Sequence, residues 1–130
     1  MRDASRNGGS VLAERGKVLQ ILINLIRNAK YALDSCRKDE KVMTLGIESS
    51  PNGTVLFIVQ DNGVGIPPEN MSHIFQHGFT TKINGHGFGL HSSVLAAKDM
   101  RGTLTARSDG VGHGATFILE LPLAAARAAA

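Results

Sequence analysis

The 130-residue chain holds a single cysteine, Cys36. One thiol cannot build an internal disulfide framework, and it fits a reducing compartment. No apolar run is long enough to cross a bilayer, and no cleavable leader opens the sequence. A membrane anchor of the natural protein, where there is one, would lie outside these residues. The net charge is only +3, and no Lys/Arg run interleaves with aromatics. A nucleic-acid partner therefore has little support. The phosphate-binding pattern G-x-x-x-x-G-K-[ST] is missing, and the glycine run near residue 85 does not follow a strand as a dinucleotide fingerprint should. His73 and His77 have a four-residue spacing that can chelate zinc on a helix, but no third ligand accompanies them and Gly78 follows at once. Structural zinc is not expected.

A hydrophobic content of 42% is enough for one core, and the length fits one domain. Glycine is abundant, with 15 residues, many of them between positions 78 and 114. Residues 1–13, with Asn7-Gly8-Gly9-Ser10, read as a linker or appended residues. Residues 124–130 form an alanine-rich tail. The domain is expected over residues 14–123.

Val18, Leu22, Leu25, Ala29, Leu33 and Cys36 recur at three- and four-residue spacing, which predicts an amphipathic helix from about Glu14 to Lys38. Met43, Leu45 and Ile47 alternate with Val42, Thr44 and Gly46 and predict a strand. Pro51-Asn52-Gly53 signals a hairpin turn. Val55 to Gln60 is apolar on both faces, so a central strand is expected there. Pro67-Pro68-Glu69 opens a short helix to about Phe75. A second helix spans Leu90 to Met100, with Gly102 as its stop. Gly102 to Arg107 and Thr116 to Leu121 are two further strands. The pattern predicts an α+β fold, a two-layer α/β sandwich. Its mixed, mostly antiparallel sheet carries about three helices on one face.

Four clusters carry the chemistry. Asn24 and Asn28 share one face of the first helix. Asparagine is a poor helix former, so the pair either caps buried groups or offers amide oxygens to Mg²⁺ beside a polyphosphate. Asp61 ends an apolar strand and precedes Gly63, Gly65 and Ile66. It is either part of an ordinary Asp-Asn-Gly turn or a carboxylate accepting from an adenine amino group. Gly85, His86, Gly87, Phe88, Gly89 and Leu90 precede a helix whose N-terminal amides can meet phosphate oxygens. Phe79, Thr80, Thr81 and Lys82 follow Phe75. The two aromatics are either core or the frame of a hinged lid that faces phosphates.

Together these clusters resemble the ATP-binding catalytic domain of two-component sensor histidine kinases, in the superfamily of DNA gyrase, mismatch-repair ATPases and heat-shock chaperones. Asn24–Asn28 resembles the N box, Asp61–Ile66 the G1 box, Phe75–Lys82 the F box and Gly85–Leu90 the G2 box. Gly112–Thr116 resembles the closing glycine-threonine segment. The Phe-Thr-Thr-Lys lid looks most like that of nitrogen-regulation kinases. The resemblance implies the Bergerat-type ATP-binding fold, a cytoplasmic domain, and ATP with Mg²⁺ as cofactors. It implies that Asp61, helped by Thr116, binds adenine. Asn28 becomes the main Mg²⁺ ligand and a catalytic residue, with Asn24 assisting. Gly87, Gly89 and Leu90 hold phosphates, and Thr80, Thr81 and the catalytic Lys82 form the lid side. A glutamate that activates water in the ATPases is replaced by Asn24, which points to transfer over hydrolysis. A lysine common in these kinases falls at Tyr31, with Lys30 one position early.

The acceptor histidine of such kinases sits on a separate helical hairpin, usually followed by an acidic residue. His73, His77, His86, His91 and His113 all lack that context. The implied partners are therefore the parent's dimerisation and phosphoacceptor segment and a response-regulator receiver domain, with no nucleic acid and no direct membrane contact. Two alternatives remain open: an ATPase of the gyrase or chaperone class, and a non-enzymatic docking module.

Overall fold

A computed structural model describes the backbone of residues 4–76 and 89–122, and the side chains of residues 15–76 and 89–122. A long helix α1 (Ala4–Asp34) leads into the strands β1 (Met43–Ser49) and β2 (Thr54–Asp61). A single 3₁₀ turn (Pro68–Asn70), the helix α2 (Leu90–Asp99) and the strands β3 (Thr103–Arg107) and β4 (Ala115–Pro122) follow. The strands form one sheet in the order β1-β2-β4-β3, and every pairing is antiparallel. The expected α+β sandwich is present, with two α-helices over the sheet among the described residues where about three were expected.

The register decides what each strand buries. Val55, Val59 and Asp61 of β2 stand beside Leu121, Phe117 and Ala115 of β4, and all six are buried. Their neighbours one residue on, such as Gln60 and Thr116, take the other face because strand side chains alternate. From α1, Val18, Ile21, Leu25 and Ala29 close the core, each at most 1% exposed. Ile21, more than the expected Leu22, sits at the centre of that stripe.

Several boundaries differ from expectation. The helical backbone of α1 starts at Ala4, inside the segment read as a linker. It ends at Asp34, where the Cys36 N–H turns back to the Leu33 carbonyl, so Cys36 lies outside it. The predicted helix after Pro67 shrinks to Pro68–Asn70 plus loose turns. The left-handed residue that ends α2 is Arg101 (φ 62°). Gly102 follows it and donates its N–H to the Ala97 carbonyl at 2.8 Å.

β1 is an edge strand, and its apolar face is largely uncovered. Leu45 and Ile47 are 58% and 71% exposed. They line a groove with Leu22, Ile26, Phe57 and Val59. A bare apolar edge favours self-association. Ile47→Thr keeps the β-branch and removes apolar area, so unfolding stability should shift by no more than about 0.5 kcal/mol. Sedimentation velocity should show less association, and a large loss of stability in urea would mean that Ile47 is packed.

Candidate functional site

A cavity of about 90 Å³ opens between the helices and the carboxyl end of β2. One water needs ~10–15 Å³ on that scale, so this is more than a packing void. Asn28, Tyr31 and Ala32 of α1, Asp61, Gly65 and Ile66 after β2, Leu90 of α2 and Ala115 of β4 line it. Ile74 and Phe117 add an apolar wall. Phe117 is held edge-on by Phe75, with ring centroids 6.3 Å apart. The lining is therefore mostly apolar with a few polar groups, the usual make-up of a small-molecule site.

Asp61 is the buried charge of this site, 4% exposed. Burial pushes its carboxyl above the ordinary value, opposed by the N–H groups of Gly63 and Ala115 and the charge of Lys38. The Gly63 N–H reaches Oδ1 at 2.8 Å. A carboxylate accepts about four hydrogen bonds, so acceptor capacity is left for a donor in the cavity.

The loop after Asp61 is braced from two sides. The Val64 N–H donates to the Ala32 carbonyl on α1, and the Gly112 N–H donates to the Val64 carbonyl at 2.7 Å. Gly65 has φ 76°, and a Cβ there would strike the Gly110 carbonyl, so only glycine fits. Ser108 is the hub between the loops. Its Oγ accepts from the Ile66 N–H at 3.0 Å and donates to the Gly114 carbonyl at 2.6 Å. Asn62 ties the loop to the start of β1 through the Glu40 carbonyl and the Val42 N–H.

Gly89, at φ 70°, precedes α2, and the first helical bond runs from the Ser93 N–H to the Gly89 carbonyl. The earlier amides of the helix have no partner within it, which suits an anion. The His91 Nδ1 and the Phe75 carbonyl lie 3.1 Å apart, which joins the first turn of α2 to the chain just before residue 77.

Of the residues singled out in the sequence, Asn28, Asp61, Gly65, Ile66 and Leu90 meet at this cavity, and Gly63 supports Asp61. Phe79, Thr80, Thr81, Lys82, Gly85, His86, Gly87 and Phe88 lie outside the described residues. Two of the residues lie elsewhere. Thr116 stands on the opposite sheet face, where it borders a polar depression that Gln60 and Arg107 line together with Asp61 and Ala115. Alternation and the Asp61↔Ala115 pairing put Ala115 at the cavity instead. Asn24, read as a second metal ligand, is not at the cavity wall. Its amide accepts from Gln20 Nε2 and donates to Ser93 Oγ, both at 3.1 Å. Lys30 is turned outward to Asp34, 2.9 Å away on the exposed surface. Tyr31 and Ala32 were missed, although they fall three and four residues after Asn28 on the same helix face. Ser108 had no local signal at all.

The fold and cavity define a two-layer sandwich with a cavity at the end of a central strand. Comparison with known proteins narrows this class. Residues 13–125 match the family described as histidine kinase-, DNA gyrase B-, and HSP90-like ATPase, and the chain belongs to that family. It is the histidine-kinase-type ATPase domain found in sensor kinases. The two-component sensor PprA of Pseudomonas aeruginosa is 38% identical over 119 residues, covering 88% of this chain and 13% of PprA. The sensory histidine kinase/phosphatase NtrB of Rhizobium meliloti is 38% identical over 103 residues, covering 71% of this chain and 26% of NtrB. The chain thus spans only an eighth to a quarter of these relatives. Among solved structures, the catalytic domain of the histidine kinase ThkA aligns with TM-score 0.67 at 29% identity, covering 82% of this chain and 66% of that one. Full-length ShkA in complex with AMPPNP aligns with TM-score 0.67 at 28% identity, covering 82% of this chain and 21% of that one. Among the described residues, no helix is long and apolar enough to cross a membrane.

Proposed function

We propose that this domain binds Mg-ATP and transfers the γ-phosphoryl group to a histidine on a separate segment of its parent sensor kinase. The observation that carries the reading is the meeting of Asp61 and Asn28 at one cavity beside the first turn of α2. The donor set fits the nucleotide. Asp61 offers a charged acceptor to an exocyclic amine, Ile66, Ile74 and Phe117 offer apolar surface to a base, and the opening amides of α2 offer donors to phosphate. Asn28 supplies a hard amide oxygen for Mg²⁺, which usually takes few protein oxygens and keeps its waters and phosphate ligands. Bound there, the ion would neutralise phosphate charge.

The protein's own part is positioning and electrostatics, as phosphoryl transfer generally requires. Thr80, Thr81 and Lys82 would close over the phosphates. Asn24 cannot activate water as a carboxylate would, and its amide is committed to Gln20 and Ser93. Partners would be the parent's dimerisation and phosphoacceptor segment, followed by a receiver domain.

The isolated chain should neither label itself with γ-phosphate nor turn ATP over quickly. Mixed with the helical hairpin of its parent, it should label that hairpin's histidine. The product should be acid-labile and base-stable. Rapid steady-state hydrolysis by the isolated chain, or an acid-stable label, would point to another branch of the superfamily.

A further inference from the structure

We infer that Asn24 and Ser93 form a positioning pair that sets the phosphate end of the cavity, so that they govern recognition of the polyphosphate and leave that of the base untouched. The inference rests on the ATP-binding reading above. The two side chains bond across 69 residues of sequence, from Asn24 Nδ2 to Ser93 Oγ at 3.1 Å. Both are buried, at 6% and 1% exposure. Asn24 lies one turn before Asn28 on α1. Ser93 lies in the first turn of α2, three residues after Leu90, and its N–H closes the first bond of that helix onto Gly89. The pair thus links the wall that carries Asn28 to the turn that opens α2.

The contact also reaches the glycine loop itself. A Cβ on Gly89 would lie 2.7 Å from Asn24 Nδ2 and 2.9 Å from Ser92 Oγ. The Asn24 amide is therefore pressed against the Gly89 backbone, and Gly89 holds φ 70°, where a side chain is strained. Stability alone does not account for the pair. A buried hydrogen-bonded couple contributes little over an apolar couple of the same shape. What it adds is direction. The helices otherwise meet through apolar groups such as Val18, Ile21 and Ala97, whose contacts are non-directional, and through the exposed Lys17–Asp99 ion pair at the far end of α2, 3.6 Å long, which fixes little in water. A hydrogen bond with both ends specified holds the angle of α2, and so the aim of its leading amides.

The test uses Asn24→Ala, Ser93→Ala and the double variant, with ATP and adenosine as separate probes. Calorimetry should show ATP affinity falling about tenfold in each single variant and no further in the double, because either change breaks the same bond. Adenosine affinity, followed by NMR titration, should stay within about twofold of wild type, since Asp61 and the apolar wall are untouched. Parallel loss of both ligands would overturn the proposal and make the pair a general prop of the cavity. Unchanged ATP affinity would overturn it as well. If Asn24→Ala fails to fold, Ser93→Ala alone decides, because it removes one oxygen and leaves the Gln20 bond to Asn24 in place. Wild-type protein that binds neither ATP nor adenosine would overturn the nucleotide reading itself. Normal wild-type binding with insensitive variants would sink only the positioning role.

Discussion

Asp61→Asn should weaken ATP binding at least tenfold and leave the unliganded domain as stable at neutral pH as wild type, or more stable. The carboxylate is buried, and burial holds its folded-state pKa above the ordinary value. The native state therefore binds this proton more tightly than the unfolded chain. Its contribution to stability is fully present below the ordinary carboxylate range and is lost as pH rises through the raised value. At neutral pH the buried charge is a cost, only partly offset by the Gly63 and Ala115 N–H groups. Asparagine keeps an oxygen for the Gly63 N–H and removes the charge. A donor on the adenine would meanwhile lose a charged acceptor, typically about 1.5–3 kcal/mol, or roughly ten- to over a hundredfold in affinity. Thermal melts of both proteins from acid to neutral pH, with calorimetry for ATP, check both halves. The stability difference should vanish in acid and open in favour of asparagine as pH rises. Undiminished ATP affinity, or a variant clearly less stable at neutral pH, would remove Asp61 from its role.

The second large effect is on the core. Phe117→Ala should cost about 3–5 kcal/mol of unfolding free energy. Phe117 is 1% exposed and stands in β4 between Val59 of β2 and Ala106 of β3. It is among the largest fully buried side chains, and its ring also forms part of the cavity wall and receives Phe75. Truncation removes the transferred area and leaves a void beside an existing cavity. Since total stability is typically ~5–15 kcal/mol, the variant should be marginal. Urea unfolding should show the midpoint falling steeply, with Phe117→Leu intermediate. A loss under about 1 kcal/mol would mean that the sheet collapses around the gap.

Much of this domain was legible in one dimension. The three- and four-residue recurrence from Val18 to Leu33 predicts a helix because a helix with one wet face needs that spacing. Val55 to Gln60 reads as an inner strand because it is apolar on both faces, and β2 indeed has neighbours on both sides. Asp61 stands out where such a strand meets a glycine turn. These are local signals, each complete within a few residues.

Other features depend on partners distant in sequence. Thr116 and Ala115 are equally plausible from their local pattern. Only the pairing of Asp61 with Ala115 decides which of them faces the helices. The residues alone left Asn24 open between bonding buried groups and binding a metal, and no local rule could reveal Ser93 as its partner. Met43, Leu45 and Ile47 alternate as a buried face would, yet as an edge strand β1 leaves Leu45 and Ile47 largely bare.

The sequence by itself determined the periodic elements, the order of the glycine and asparagine clusters, and the chemical types at the site. The tertiary structure alone decided the phase of β4, the engagement of the Asn24 amide, the bracing of the Gly65 loop through Ser108 and the exposure of β1. The physical reason is one of range. Periodicity records that a residue needs a dry or wet side, whereas the identity of whatever dries it is set by sheet order and helix docking across the whole chain.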